Sequence, residues 1–256
     1  MKEYFMKVRI LGCGSSFGVP LIGNKFGKCD INNKKNYRTR PSILITFKNK
    51  NILIDSSPDL RLQLLSAKCD QINAVLYTHL HADHIHGIND LRALNLIMNK
   101  IIPIWGSKET IDYLINNFNY IFKSSGNYIP FMKANVISDN FLIDDIEVTS
   151  FQHNHGSIDC TTFRINDFAY TTDIKKFYDG TIDNLKGIKY WVIGCLRMDE
   201  HPSHASFKQI IEFINYIKPE KTFLTHLTAL MDYEELLSNC PDNIEPAYDN
   251  LEFNIK

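Results

Sequence analysis

The chain has no C-x-x-C pair, no apolar run approaching the length of a membrane-spanning helix, and no surplus of either charge. Each absence excludes something. Six cysteines scattered over 256 residues (Cys13, Cys29, Cys69, Cys160, Cys195, Cys240) lack the density of a disulfide scaffold and read as reduced, mostly buried thiols. Twenty-eight Lys and Arg against 29 Asp and Glu leave a formal net charge of -1, so nothing global attracts nucleic acid or an anionic membrane. The glycines of GCGSSFGVP, at 12, 14 and 18, do not follow G-x-G-x-x-G, so no nucleotide cofactor is expected. The first apolar stretch is too short and interrupted for a signal peptide. A cytoplasmic protein that meets its substrate in solution is the expectation.

What is present is ordinary globular composition, 44% hydrophobic and 22% charged, with length enough for one large domain over residues 1–256. One stretch is not ordinary. YTHLHADHIHG, residues 77–87, places His79, His81, Asp83, His84 and His86 within eight positions, directly after an apolar run. A packed core has no use for such a cluster. Side chains at i and i+2 of an extended backbone can converge on one ion, and the next pair on a neighbouring ion. The bland alternative is a polar loop of solvated histidines, which would suit one such residue but not the H-x-H-x-D-H pattern.

Apolar periodicity predicts strands over 8–11, 42–47, 51–55, 73–78 and 101–105, with amphipathic helices over 58–66, 88–98 and 108–118. Residues 24–40 carry six Lys and Arg against Asp30 alone and read as a mobile, solvated loop. The aromatic stretch 119–130 either covers the site or only packs. From 146 onward the pattern is mainly strand: 146–152, 161–165, 168–172, 190–194 and 222–225. A polar loop with His201 and His204 leads into a helix ending at 217, and a short helix (231–238) and a strand (251–255) close the chain. Three strands run into candidate ligands, namely His153 and His155, Asp173, and His226.

Ligands delivered by separate strand ends are hard to explain as packing, because each buried polar group would need its own partners. A shared metal cluster serves them together. His79, His81 and His155 are assigned to one metal, Asp83, His84 and His226 to a second, and Asp173 bridges them. Nitrogen and oxygen ligands suit Zn²⁺, Mn²⁺ or Fe. Two such ions sharing a hydroxide, less two carboxylates, leave a charge that suits a monoanionic phosphodiester. Asp83, as a ligand, and His204, as proton donor with His201 second, would then carry the reaction. His86 and His153 are expected to cap or pack beside the site, His153 on the opposite side of its strand from His155. Asp55 is expected to orient a ligand histidine, and Cys195 to lie in the core.

The ordered set HLHADH, His155, Asp173 and His226 resembles the metallo-β-lactamase superfamily, over nearly the whole chain. GCGSSFGVP, PSHASF and THLTALMDY are similar to PhnP-type phosphodiesterases and, more distantly, to ribonuclease Z. The resemblance implies an α/β fold, a four-layer αββα sandwich, with a dinuclear centre hydrolysing a small or cyclic phosphodiester. It also implies that His204 donates a proton or contacts phosphate, and that a homodimer is a candidate assembly. PhnP-type proteins hold a further structural zinc on a cysteine cluster and a late histidine. Here only Cys29 remains, and Ala229 replaces the histidine, so that second site is not expected. RNA-processing and thioester or lactone hydrolysis are the alternative activities; nucleic acid is not the favoured partner, and no membrane partner is expected. A non-catalytic metal-binding module is the remaining alternative, against which seven intact ligands argue.

Overall fold

The structure, a computed structural model, describes residues 5–124 and 129–255. Strand Met6–Gly12 alternates buried and half-buried positions at its start, the period of a strand with one face in a core, whereas Ala74–Leu76 is buried throughout, as a central parallel strand must be. Two sheets result. The first runs, in spatial order, Glu252–Ile255, Met6–Gly12, Ser42–Phe47, Lys50–Ile54, Ala74–Leu76, Ile102–Gly106 and Met132–Val136. Its last four strands are mutually parallel, so their carboxyl ends point the same way. The second runs Lys176–Phe177, Ile146–His155, Ile158–Ile165, Phe168–Thr171, Tyr190–Gly194, Lys221–Thr225 and Ile244–Pro246, with Asn140–Ile143 also paired to Ile146–His155.

Side chains of both inner faces interdigitate: Ile10, Ile45, Ile52 and Leu76 from one sheet meet Val148, Phe163, Tyr170 and Val192 from the other. Outside the first sheet, helices Leu60–Ala67, Leu91–Met98 and Lys108–Asn117 bury Leu64, Leu94 and Leu114 against Leu53, Val75 and Ile104. Outside the second, Phe207–Ile217 lays Ile210 and Ile214 on Trp191, Ile193 and Leu224. These are the four layers, helix, sheet, sheet, helix, that the resemblance implied.

Helix Phe207–Ile217 starts on a reciprocal cap: Ser206 Oγ accepts from Gln209 N, and the Gln209 side chain accepts from Ser206 N. Ser206→Ala is therefore expected to cost about 1 kcal/mol, read as a lower urea midpoint with an unchanged slope.

Three differences from the expected elements have physical causes. Met132–Val136 and Asn140–Ile143 were not anticipated because, at the margins of their sheets, two residues of each face water and the apolar alternation is lost. The helix expected over 88–98 opens as a 3₁₀ turn, Ile88–Asp90, before Leu91–Met98. Residues 24–40 are pinned, not mobile. Asn36 and Arg38 are buried; Asn36 Nδ2 donates to Asp232 Oδ2 at 2.7 Å, its Oδ1 accepts from Tyr233 N at 2.9 Å, and Arg38 Nη1 donates to Thr228 O at 3.1 Å. Cys29 and Ala229 join Val19 in a small apolar cluster beneath the loop. Every one of these anchors lies far along the chain, where local composition could not reveal it. Of the stretch 119–130, Asn119–Phe122 is a short helix, and residues 125–128 lie outside the described residues.

Candidate metal centre

The polar groups gather where strands end. Asp55 follows Lys50–Ile54, His226 follows Lys221–Thr225 and Asp173 stands two residues beyond Phe168–Thr171; all three have left-handed backbones, with φ of 62°, 60° and 50°. Such a backbone costs a side-chain-bearing residue about 1 kcal/mol or more. The loop after Ala74–Leu76 supplies His79 and His81, and the short helix Ala82–Ile85 supplies Asp83 and His84. Gly87 locks that helix down: its N–H donates to Ser56 O at 2.8 Å, and a Cβ would come within 2.0 Å of Ser57 O. His155 is the last residue of strand Ile146–His155.

The seven side chains assigned to the cluster from sequence meet in two groups, His79, His81, His155 and Asp173, and Asp83, His84, Asp173 and His226. Within each group the candidate ligand atoms all lie within 4.8 Å of one another. His79 Nε2 stands 3.0 Å and His155 Nε2 3.3 Å from His81 Nδ1. Asp173 belongs to both groups: its Oδ2 is 3.6 Å from His79 Nε2 and 3.5 Å from His155 Nε2, and its Oδ1 is 3.1 Å from His226 Nε2. Asp83 Oδ2 lies 3.3 Å from both His84 Nε2 and His226 Nε2.

Burial would raise Asp83 and Asp173, yet His84 and His226 beside them hold both well below the usual carboxylate range. Burial also pushes His79 and His81 down, with neighbouring imidazoles adding to the effect, so these rings are neutral and present lone pairs. On His84 burial acts downward too, but Asp83, Asp55 and Asp173 outweigh it and lift the ring well above its ordinary value. The donor set fits divalent cations on two observations. His155 Nδ1 donates to Ser203 O at 2.9 Å, which leaves its Nε2 as a lone pair aimed at His81; and His84 Nε2 is fully buried, faces carboxylate oxygens and has no hydrogen-bond partner. Converging lone pairs and carboxylates in a buried space repel one another unless a cation lies among them.

Around the ligands, a second set of contacts fixes their orientation. Asp55 accepts from His84 Nδ1 at 2.7 Å and from Thr78 N at 2.8 Å, the orienting role expected of it. His153 is not across the strand from His155, since i and i+2 share a face. It stays out of the cluster because its Nε2 donates to Thr172 O at 2.8 Å and its Nδ1 meets Thr162 Oγ1 at 3.0 Å; burial pushes it down to about 4. His86 ends the short helix through its backbone, its exposed ring 6.0 Å from Phe118. Cys195 is buried in the outer core of the second sheet.

His204 belongs to neither group, but its buried ring lies 4.7 Å from that of His155 and stacks at 5.5 Å on His226. Its loop is held from two sides that the sequence did not advertise. Lys175 Nζ donates to His201 O at 2.7 Å and His204 O at 3.4 Å, and Gly156, with φ of 77°, comes so close to Ser203 that a Cβ would touch the serine side chain at 2.7 Å.

The family model described as the Beta-lactamase superfamily domain matches residues 50–227. Among curated proteins, an octanoyltransferase of Porphyromonas gingivalis is 33% identical over 253 residues, 96% of this chain and 51% of the relative. A ribonuclease Z of Clostridioides difficile is 26% identical over 170 residues, 61% of this chain and 48% of the relative. The chain thus spans about half the length of these curated relatives. A solved diphosphatase of the PhnP family superposes with a TM-score of 0.90 at 27% identity, covering 99% of this chain and 98% of that one. Among the described residues no helix is long and apolar enough to cross a membrane.

Proposed function

This chain belongs to the beta-lactamase superfamily, and on that premise we propose that it is a hydrolase of phosphodiester-type bonds working with two divalent cations, Zn²⁺ or Mn²⁺. The observation that carries the reading is the meeting of two ligand groups on the shared carboxylate of Asp173. His79, His81 and His155, and Asp83, His84 and His226, would hold the divalent cations, which would supply Lewis acidity and make water nucleophilic near neutral pH. The names of the relatives support phosphorus chemistry, one being a ribonuclease and another a diphosphatase.

The protein's own groups do the rest. Asp83 and Asp173, held ionised, orient the imidazoles and offset the cationic charge. Thr78 and Asp55 keep His84 from rotating. Burial pushes His204 down to about 3 against the opposing pull of Asp173. In the free protein it is therefore a neutral imidazole; with substrate bound its N–H would donate to a phosphoryl oxygen, and the anionic substrate would raise its proton affinity and let it serve the departing oxygen. His204→Ala is expected to slow turnover about 10²-fold with metal content unchanged, measured by steady-state kinetics beside elemental analysis. Metal loss in that variant would make His204 a ligand and end the role given to it.

The deciding experiment is hydrolysis of bis(p-nitrophenyl) phosphate by Mn²⁺- or Zn²⁺-loaded protein. Turnover abolished by chelator is the expected result; full metal content with no turnover overturns the reading. Two further readings share the site. The ribonuclease Z relatives favour RNA, for which affinity would fall steeply with salt. The octanoyltransferase favours acyl transfer to water, for which thioester substrates would outrun phosphodiesters.

A further inference from the structure

Two imidazoles that belong to different ligand groups, His79 and His84, meet the same buried carboxylate. His84 Nδ1 donates to Asp55 Oδ2 directly, at 2.7 Å. His79 reaches Asp55 through one hydroxyl: Thr78 Oγ1 lies 2.9 Å from Asp55 Oδ2, 3.1 Å from Asp55 Oδ1 and 3.0 Å from His79 Nδ1. A hydroxyl has one hydrogen to give, and an ionised carboxylate can only accept. The Thr78 hydrogen therefore goes to Asp55, which leaves Thr78 Oγ1 to accept from His79 Nδ1. With its proton on Nδ1, His79 turns a lone pair on Nε2 toward His81 Nδ1 at 3.0 Å and Asp173 Oδ2 at 3.6 Å. Another acceptor within reach of His79 Nδ1 is Cys160 Sγ, farther away at 3.5 Å and weak as an acceptor, its own hydrogen directed to Thr172 O at 3.4 Å.

The carboxylate itself is held by backbone. Thr78 N donates to Asp55 Oδ1 at 2.8 Å and Asp55 N to Leu76 O at 2.9 Å, across the parallel strands Lys50–Ile54 and Ala74–Leu76. His155 stands apart from this arrangement, since its Nδ1 proton goes to the Ser203 carbonyl. We propose that Thr78 is a positioning residue whose hydroxyl relays Asp55 to His79, so that one carboxylate fixes ring orientation and tautomer in both ligand groups. The assignment rests on the two-cation reading above. It gives the two halves of the centre different sensitivities: removing the hydroxyl releases His79 alone, whereas altering the carboxylate releases His79 and His84 together. Acceptors of this kind hold the tautomer and raise the basicity of a ligating imidazole.

The test is a Zn²⁺ titration in competition with a chromophoric chelator, which resolves the two equivalents, on wild-type, Thr78→Val, Thr78→Ser, Asp55→Asn and Cys160→Ala proteins. Thr78→Val keeps the shape of the side chain and the backbone bond to Asp55 but loses the hydroxyl; it should weaken one equivalent about tenfold or more and leave the other nearly unchanged. Thr78→Ser should restore the lost affinity, Asp55→Asn should weaken both equivalents, and Cys160→Ala neither. Long-range ¹H–¹⁵N spectra of histidine-labelled wild type give a second readout that needs no variant to fold: His79 should carry its proton on Nδ1 with and without Zn²⁺. Both equivalents weakened alike by Thr78→Val, neither weakened, no rescue by serine, a loss in Cys160→Ala, or a His79 proton on Nε2 overturns the relay while leaving the two cations standing. Failure of wild type to bind Zn²⁺ sinks the two-cation reading and the relay together.

Discussion

Asp173→Asn is expected to remove nearly all activity, about 10³-fold or more, because the lost Lewis-acid function is worth several kcal/mol at the transition state. Asp173 is common to both ligand groups, with its two oxygens within 3.1 to 3.6 Å of imidazole nitrogens of His79, His84, His155 and His226. Asparagine keeps the shape but not the charge, and its amide would turn donors toward whichever group it faces. Metal content should fall with activity, which elemental analysis of the purified variant would read. A variant that retained two equivalents of metal and wild-type turnover would remove Asp173 from the shared position. The backbone is expected to survive, since the left-handed conformation at 173 suits asparagine as well as aspartate.

Asp55→Ala should do a different kind of damage. Asp55 is fully buried and takes hydrogen bonds from Thr78 N, Thr78 Oγ1 and His84 Nδ1. Burial raises its carboxyl, and the neighbouring His84 charge only partly offsets that. Alanine strands three buried donors and removes one of the three carboxylates that face the His84 ring, a loss of roughly 3–5 kcal/mol of folding stability. Metal affinity should fall about 10–100-fold as His84 loses its orienting partner. Urea unfolding in chelator separates the first effect from metal titration of the folded protein, which reads the second. Asp55→Asn, which keeps an acceptor for Thr78 N, should recover part of the stability but little of the affinity. Unchanged stability in the alanine variant would mean that Thr78 and His84 find other partners.

The cluster was legible because candidate metal-binding side chains leave an ordered trace: HLHADH, His155, Asp173 and His226 each stand at or just beyond a strand that apolar runs reveal. Asp55 was legible for the same reason. Less accessible was whatever depends on contacts between distant segments. Lys175 looks like any surface lysine until its ammonium is found on the carbonyls of His201 and His204. The basic loop 24–40 reads as solvated, yet Asn36 and Arg38 tie it to Asp232, Tyr233 and Thr228. His153 was excluded for the wrong reason: sidedness cannot separate i from i+2, and only the bonds to Thr172 and Thr162 show why that imidazole is spoken for. The PhnP-family diphosphatase covers the chain end to end, whereas short polar margins such as Asn140–Ile143 carry too little apolar pattern to be found alone.

His155, Asp173 and His226 come from the exits of sheet strands, but His201, Arg197 and His204 ride on an irregular connection clamped by Lys175 and by the tight approach of Gly156 to Ser203. The converging side chains are thereby held by sheet hydrogen bonds, and the His204 loop by side-chain clamps of its own. Because the Ser203 carbonyl also takes the His155 Nδ1 proton, slack in that clamp would reach the cluster through one imidazole while leaving the strand exits of Asp173 and His226 where they are.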